Sequence, residues 1–247
     1  MFGWFRAKIE CPVDPETRQW LEERLDWLCR EFGNERLLSA TVVLPTPDFF
    51  PDPYDGTPED ARMMLDRVCE YMGIQGKTID LEFFQDRNPV SDGEYQHGAA
   101  GLYQENEGRF LVWVEMSNLG DPLGLVATLA HELGHVLLLG QGRIAREVDD
   151  HEPLTDLLTV FLGMGVFTAN SVIRENYWQE GHLGGWSMQR RGYLTMPMYG
   201  YALALFARAR GEPDPPWASE LRPDVRQAFQ QGERFLTQQE TPDFENE

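Results

Sequence analysis

The chain is poor in cysteine, poor in histidine and short of basic charge. Three cysteines stand in 247 residues, at Cys11, Cys29 and Cys69. An odd, sparse set without a CxxC pair excludes a disulfide framework and a cysteine-based zinc knuckle. Cys29 and Cys69 sit among apolar residues at helical spacing, which reads as buried thiols. Lys plus Arg number 21 against 41 Asp plus Glu, a formal charge of −20. Such a balance disfavours nucleic acid and anionic membrane as partners, because both require basic surface to meet phosphate. The longest uncharged run is short for a membrane span. The longest uncharged stretch, Leu157 to Ile173, has 17 residues and carries Thr, Asn, Ser and Gly. A span needs about 20, so a buried core helix is expected there. The N-terminal stretch has no apolar segment of signal-peptide length. The expectation is a soluble, cytoplasmic protein.

What is present is a folding composition, with 42% apolar and 12% aromatic residues. Asp14-Pro15-Glu16 opens a helix that Gly33 stops near Phe32. Leu37 to Leu44 reads as a strand. Pro45 to Pro58 reads as an ordered, proline- and aromatic-rich loop. Thr57-Pro58-Glu59-Asp60 opens a second helix ending near Gly73, and Thr78 to Phe84 reads as a second strand. Ala99 to Tyr103 and Arg109 to Met116 flank Asn106-Glu107-Gly108, a hairpin pattern. Helices follow from Asp121 to Leu139 and from Asp150 to Thr168. The Gly- and Trp-rich stretch from Arg174 to Gly192 reads as loop. Two more helices cover Met198 to Arg210 and Pro223 to Leu236, before an acidic tail. This order gives an α+β protein in one domain spanning 1–247. It comprises an N-terminal α/β half (1–120), a mostly helical half (121–237) and the tail (238–247).

One motif carries chemistry: His131-Glu132-Leu133-Gly134-His135, inside the apolar run LGLVATLAHELGHVLLLG. Spacing i, i+4 puts both imidazoles on one helix face, one turn apart. Two neutral nitrogens at that separation can bind one zinc ion. Glu132 then lies beside the metal, placed to take a proton from a water that the metal activates. His, Glu and His on an otherwise apolar helix would carry a desolvation cost without a partner. A metal explains that cost; packing does not.

Zinc needs a third protein ligand and an open fourth position. Leu138 and Gln141 stand where a metzincin has Gly and His, so that class is excluded. Downstream, Glu152 and Asp156 are i, i+4 and share a helix face, with Pro153 and Thr155 between them. HELGH followed by a Glu-x-x-Thr-Asp helix resembles the gluzincin metallopeptidases, the clan of thermolysin. The match covers Thr128 to about Asp156. The resemblance implies a zincin-like fold, a small mixed sheet with an active-site helix. It implies one Zn2+ per chain on His131, His135 and Glu152, with Asp156 orienting a ligand histidine. Pro153 puts Glu152 in the first helical turn, so Asp156 and His151 stay open as alternatives for the third ligand.

The same resemblance implies a peptide or protein substrate laid along an edge strand, for which Arg109 to Met116 is the candidate. It also implies a hydrogen-bond donor to the developing oxyanion from the downstream half. Tyr199, Tyr201 and His182 lead a set that also holds Tyr193, Arg190 and Arg191. His97 reads as an exposed loop residue. The expected function is that of a zinc metallopeptidase, with Glu132 as general base. The alternatives are an inactive zincin-fold binding protein and a zinc hydrolase of a non-peptide amide.

Overall fold

The computed structural model describes residues 9–85, 101–106, 109–180, 183–190 and 192–240. Helix α1 (Pro15–Phe32) begins where the Asp14 carboxylate accepts from the Glu16 and Thr17 amides. Its buried stripe is Leu21, Leu25 and Leu28. Gly33 ends it, and α2 (Asn34–Ser39) follows at once. The strand expected over Leu37–Leu44 is therefore corrected. Its first three residues complete α2, and 40–44 lie in no strand. Val43 is nonetheless fully buried, and its amide donates to the Gly163 carbonyl. Packing against that turn buries the apolar run without a sheet.

Helix α3 (Pro58–Met72) carries the capping box that its sequence announces. Thr57 accepts from the Asp60 amide, and the Asp60 carboxylate accepts from the Thr57 amide. The aromatic residues of the preceding proline-rich segment are anchored. Phe49 and Phe50 pack on Tyr71, and the Tyr54 hydroxyl donates to the Leu119 carbonyl.

The main sheet holds β1 (Ile79–Phe84), β2 (Gly101–Asn106) and β3 (Arg109–Glu115) in the order β1-β3-β2. The β2–β3 hairpin is the one expected around 106–108, with Asn106 opposite Arg109. Ala99, Glu107 and Gly108 lie outside the described residues. β3 also pairs in parallel with β1. It is thus the central strand, and the expectation that Arg109 to Met116 forms a free edge is overturned. The physical reason is the parallel contact of β1 along its second edge, and Val112 and Val114, on one face of the strand, are fully buried.

Helix α4 (Pro122–His135) follows, extended by a π-helical turn over Val136–Gly140. By length and composition Pro122–Gly140 could cross a membrane, but 78% of that window is buried inside the protein. α4 contacts β2 and β3, α3, and the pair α5 (His151–Phe161) and α6 (Gly165–Asn170). The single helix expected over 150–168 is thus two. Gly163 breaks it with φ +87, and a Cβ there would collide with the Thr41 carbonyl. Only glycine fits that close approach in that conformation.

The loop expected over 174–192 is also corrected. β4 (Ile173–Glu180) and β5 (Leu183–Arg190) pair antiparallel, with Tyr177 opposite Trp186. Helix α7 (Met196–Ala209) and helix α8 (Pro223–Glu240) close the chain, packed on each other. The buried residues form one cluster from Leu21 to Leu236, so the core crosses the boundary expected near residue 120. The class is mixed α and β, as expected. The three thiols are free, Cys69 is buried and Cys29 only partly so. Burial pushes the Cys69 thiol up to about 12, so it is not a reactive group.

Candidate metal centre

The site begins where two helices meet at a glycine. Gly134 faces Thr155 across the α4–α5 contact, and a Cβ on Gly134 would stand 2.7 Å from Thr155 Cγ2. Thr155 is fully buried, so its methyl has nowhere to go. The approach brings the first turn of α5 over the histidine face of α4. His131 Nε2 and His135 Nε2 lie 3.1 Å apart, their rings edge-on at 89°. Glu152 Oε2 is 3.1 Å from the first and 3.3 Å from the second. These three groups can hold a metal ion.

Gly134→Ala tests that packing. Helix propensity would favour the alanine by about 1 kcal/mol. Overpacking costs about 1–3 kcal/mol and separates the helices. We expect weaker divalent-metal binding together with a melting temperature at or below wild type, read by metal titration and thermal melts. Metal binding as tight as wild type would contradict the role of this contact.

The hydrogen bonds around the triangle orient both rings. His131 Nδ1 donates to Asp156 Oδ1 at 2.8 Å. The Thr155 hydroxyl donates to the His151 carbonyl at 2.8 Å, so it accepts from His135 Nδ1 at 3.3 Å. With Nδ1 engaged in this way, each ring turns Nε2 toward the other ring and toward Glu152. Three such acceptor atoms at 3.1–3.3 Å repel one another unless a proton or a metal ion sits between them.

The electrostatics say the same. Burial opposes a charge on His131, but the Asp156 and Glu152 carboxylates outweigh it and raise its pKa to about 10. The chain alone therefore keeps a proton where a metal would bind. Burial also opposes charge on Glu152, yet hydrogen bonds with His131 and His135 hold it well below the usual carboxylate range. Burial lowers the pKa of His135.

Asp156 is 1% exposed and still ionised. Its second oxygen accepts from the backbone amides of Tyr193 at 2.6 Å and Leu194 at 3.0 Å. Burial raises its pKa, but His131 first and then those two amides hold it below the usual value. Glu132 is 5% exposed. Burial first, and the nearby Glu152 carboxylate after it, raise its pKa to about 7. A carboxyl poised there can both accept and release a proton near neutrality.

Of the three candidates for the third position, the structure brings Glu152 to the histidines. Asp156 lies behind His131, on Nδ1. His151 has Nδ1 on the Val148 carbonyl at 2.9 Å and Nε2 3.4 Å from Glu152 Oε1, the other carboxylate oxygen. Tyr199 and Tyr201 are corrected as donors. Both are core residues of the apolar α7, 1% and 0% exposed, and so closed to a substrate. The Tyr201 hydroxyl is used on Glu22 Oε1 of α1 at 2.6 Å. His182, Arg191 and His97 lie outside the described residues, and Arg190 enters only as backbone of β5.

Tyr193 is the downstream residue at the site. Its ring stacks on His131, centroids 5.8 Å apart at 19°, and it is 51% exposed. Partial burial and then the Glu152, Asp156 and Glu132 carboxylates raise its pKa, so the phenol keeps its proton. Thr155 is the residue sequence reasoning passed over, although it lies inside the Glu-x-x-Thr-Asp pattern. No family model, curated protein or solved structure matches this chain.

Proposed function

We propose that the chain is a zinc-dependent hydrolase of gluzincin type, cleaving peptide bonds. The observation that carries this reading is the triangle of potential ligand atoms on His131, His135 and Glu152, with Glu132 buried beside it. Tetrahedral zinc with bonds of about 2.0–2.1 Å sets its ligand atoms about 3.3 Å apart. The distances of 3.1, 3.1 and 3.3 Å fit that geometry. A small mixed sheet against the HELGH helix supports a zincin-like fold.

A zinc ion there supplies a Lewis acid that polarises a carbonyl and eases deprotonation of water. Glu132 accepts the proton of the attacking water and passes it to the leaving amine. Asp156 and Thr155 fix the two imidazoles, which raises their basicity as ligands. The Tyr193 phenol donates a hydrogen bond to the substrate oxygen as negative charge grows on it.

Among the described residues β2 pairs only with β3, and it contacts α4. An extended peptide can add a strand alongside β2, which favours a peptide over a compact amide. The test is cleavage of a mixed peptide library by the zinc-loaded chain, with and without a chelator. The reading expects cleavage that the chelator abolishes and added zinc restores. Cleavage indifferent to chelation, or no cleavage by a zinc-loaded chain, contradicts it. Tyr193→Phe should lower kcat by about 10²-fold with KM and zinc content little changed, measured on the best peptide from that library. An unchanged kcat would remove Tyr193 from the mechanism.

A further inference from the structure

Asp150 stands at the N-cap of α5, yet its side chain makes no capping hydrogen bond. It faces α1 instead. Its Oδ2 accepts from the Trp20 indole at 2.7 Å and from Arg24 Nε at 2.7 Å, and its Oδ1 accepts from Arg24 Nη2 at 2.8 Å. The pair is mostly shielded, with side-chain exposures of 29% and 23%. A forked guanidinium bond adds direction as well as energy. Two residues on, Glu152 lies in the first turn of the same helix, where backbone amides have no intrahelical partner and the end frays most readily. A helix whose cap residue is turned away from its own amides needs another anchor. Here that anchor is α1, more than a hundred residues away in sequence.

We propose that Arg24 and Trp20, acting through Asp150, are positioning residues for the metal centre. They hold the first turn of α5 so that Glu152 Oε2 reaches the two histidine nitrogens. This rests on the metal-centre reading of His131, His135 and Glu152. The clamp sets how well the third ligand is presented, and thereby how tightly the ion is held. Partners that orient a metal ligand are typically worth about 10–100-fold in affinity.

The experiment is zinc titration of the full chain as wild type, Arg24→Ala, Arg24→Lys, Glu152→Ala and the double variant, with cobalt(II) absorption spectra beside it. Wild type binding one zinc per chain establishes the centre independently of the clamp. Arg24→Ala is then expected to weaken zinc binding about 10-fold or more and to shift the cobalt spectrum. Arg24→Lys should recover part of the loss, since it keeps the charge but not the fork. In the Glu152→Ala background Arg24→Ala should have no further effect, because the clamp acts through Glu152. An equal loss in both backgrounds would mean a general structural role and would overturn the proposal. So would wild-type affinity in Arg24→Ala. If Arg24→Ala does not fold, Trp20→Phe removes the indole donor while keeping an aromatic ring and carries the same comparison, with a smaller loss expected. A wild type that binds no zinc would take down the metal-centre reading and the clamp with it.

Discussion

Replacing Glu132 by Gln is expected to lower kcat by about 10³-fold while zinc stays bound. Glutamine keeps the shape and volume of the side chain and makes the same contacts with the apolar body of α4. It has no lone pair basic enough to take a proton from water. The metal ligands are untouched, because the His131, His135 and Glu152 atoms form the triangle without Glu132. Folding should not suffer either. Glu132 is 5% exposed and its pKa is raised to about 7, so ionising it inside the protein already has a cost. A neutral amide removes that cost. Turnover on the best peptide and zinc by elemental analysis check the two halves. Turnover near wild type would sink the assignment of Glu132 as general base. Loss of zinc would mean that Glu132 supports the ligands and not the proton transfer.

Asp156→Ala should do damage of a different kind, lowering stability and metal affinity together. Three donors converge on this one buried carboxylate: His131 Nδ1, the Tyr193 amide and the Leu194 amide. Removing it leaves all three without their partner in a site that is 1% exposed. Breaking a buried charged network of this kind costs about 3–5 kcal/mol. His131 also loses the bond that holds its tautomer and orientation, worth about 10–100-fold in metal affinity. Tyr193, tied to Asp156 through its own amide, loses its place over the His131 ring. Denaturant melts and zinc titration read the two effects. A variant as stable as wild type would contradict the buried network, and unchanged zinc affinity would contradict its role in orienting His131.

The parts of the fold readable from sequence are those decided locally. Asp14-Pro15 and Thr57-Pro58-Glu59-Asp60 cap their helices with side chains two or three residues away, and the structure keeps both starts. The β2–β3 hairpin and the HELGH helix are likewise short-range patterns. What failed depended on distant contacts. The break between α5 and α6 is decided at Gly163 by the Thr41 carbonyl. The apolar run at 40–44 looks like a strand but is satisfied by that same turn. β3 becomes central because β1 pairs along its second edge, a parallel contact that leaves no local mark. The β4–β5 hairpin was obscured by its glycines, although Gly181 with one further residue between two runs is a hairpin signal.

The candidate site divides the same way. His131, Glu132 and His135 follow from one helical period. Glu152 and Asp156 were reached through a resemblance, and the structure places one at the histidine nitrogens and the other behind His131. Tyr193 stands in the sequence only as one of six donor candidates with no motif to favour it, and the Arg24–Asp150 pair has no sequence signal. Each reaches the site across a long separation, Tyr193 over 37 residues to Asp156 and Arg24 over 126 to Asp150.

The most direct test of the central claim is the metal content of the purified chain by elemental analysis, after zinc addition and removal of excess, with His135→Ala beside it. The account predicts one zinc per chain in the wild type and its loss in the variant. A folded wild type that holds no zinc would contradict it.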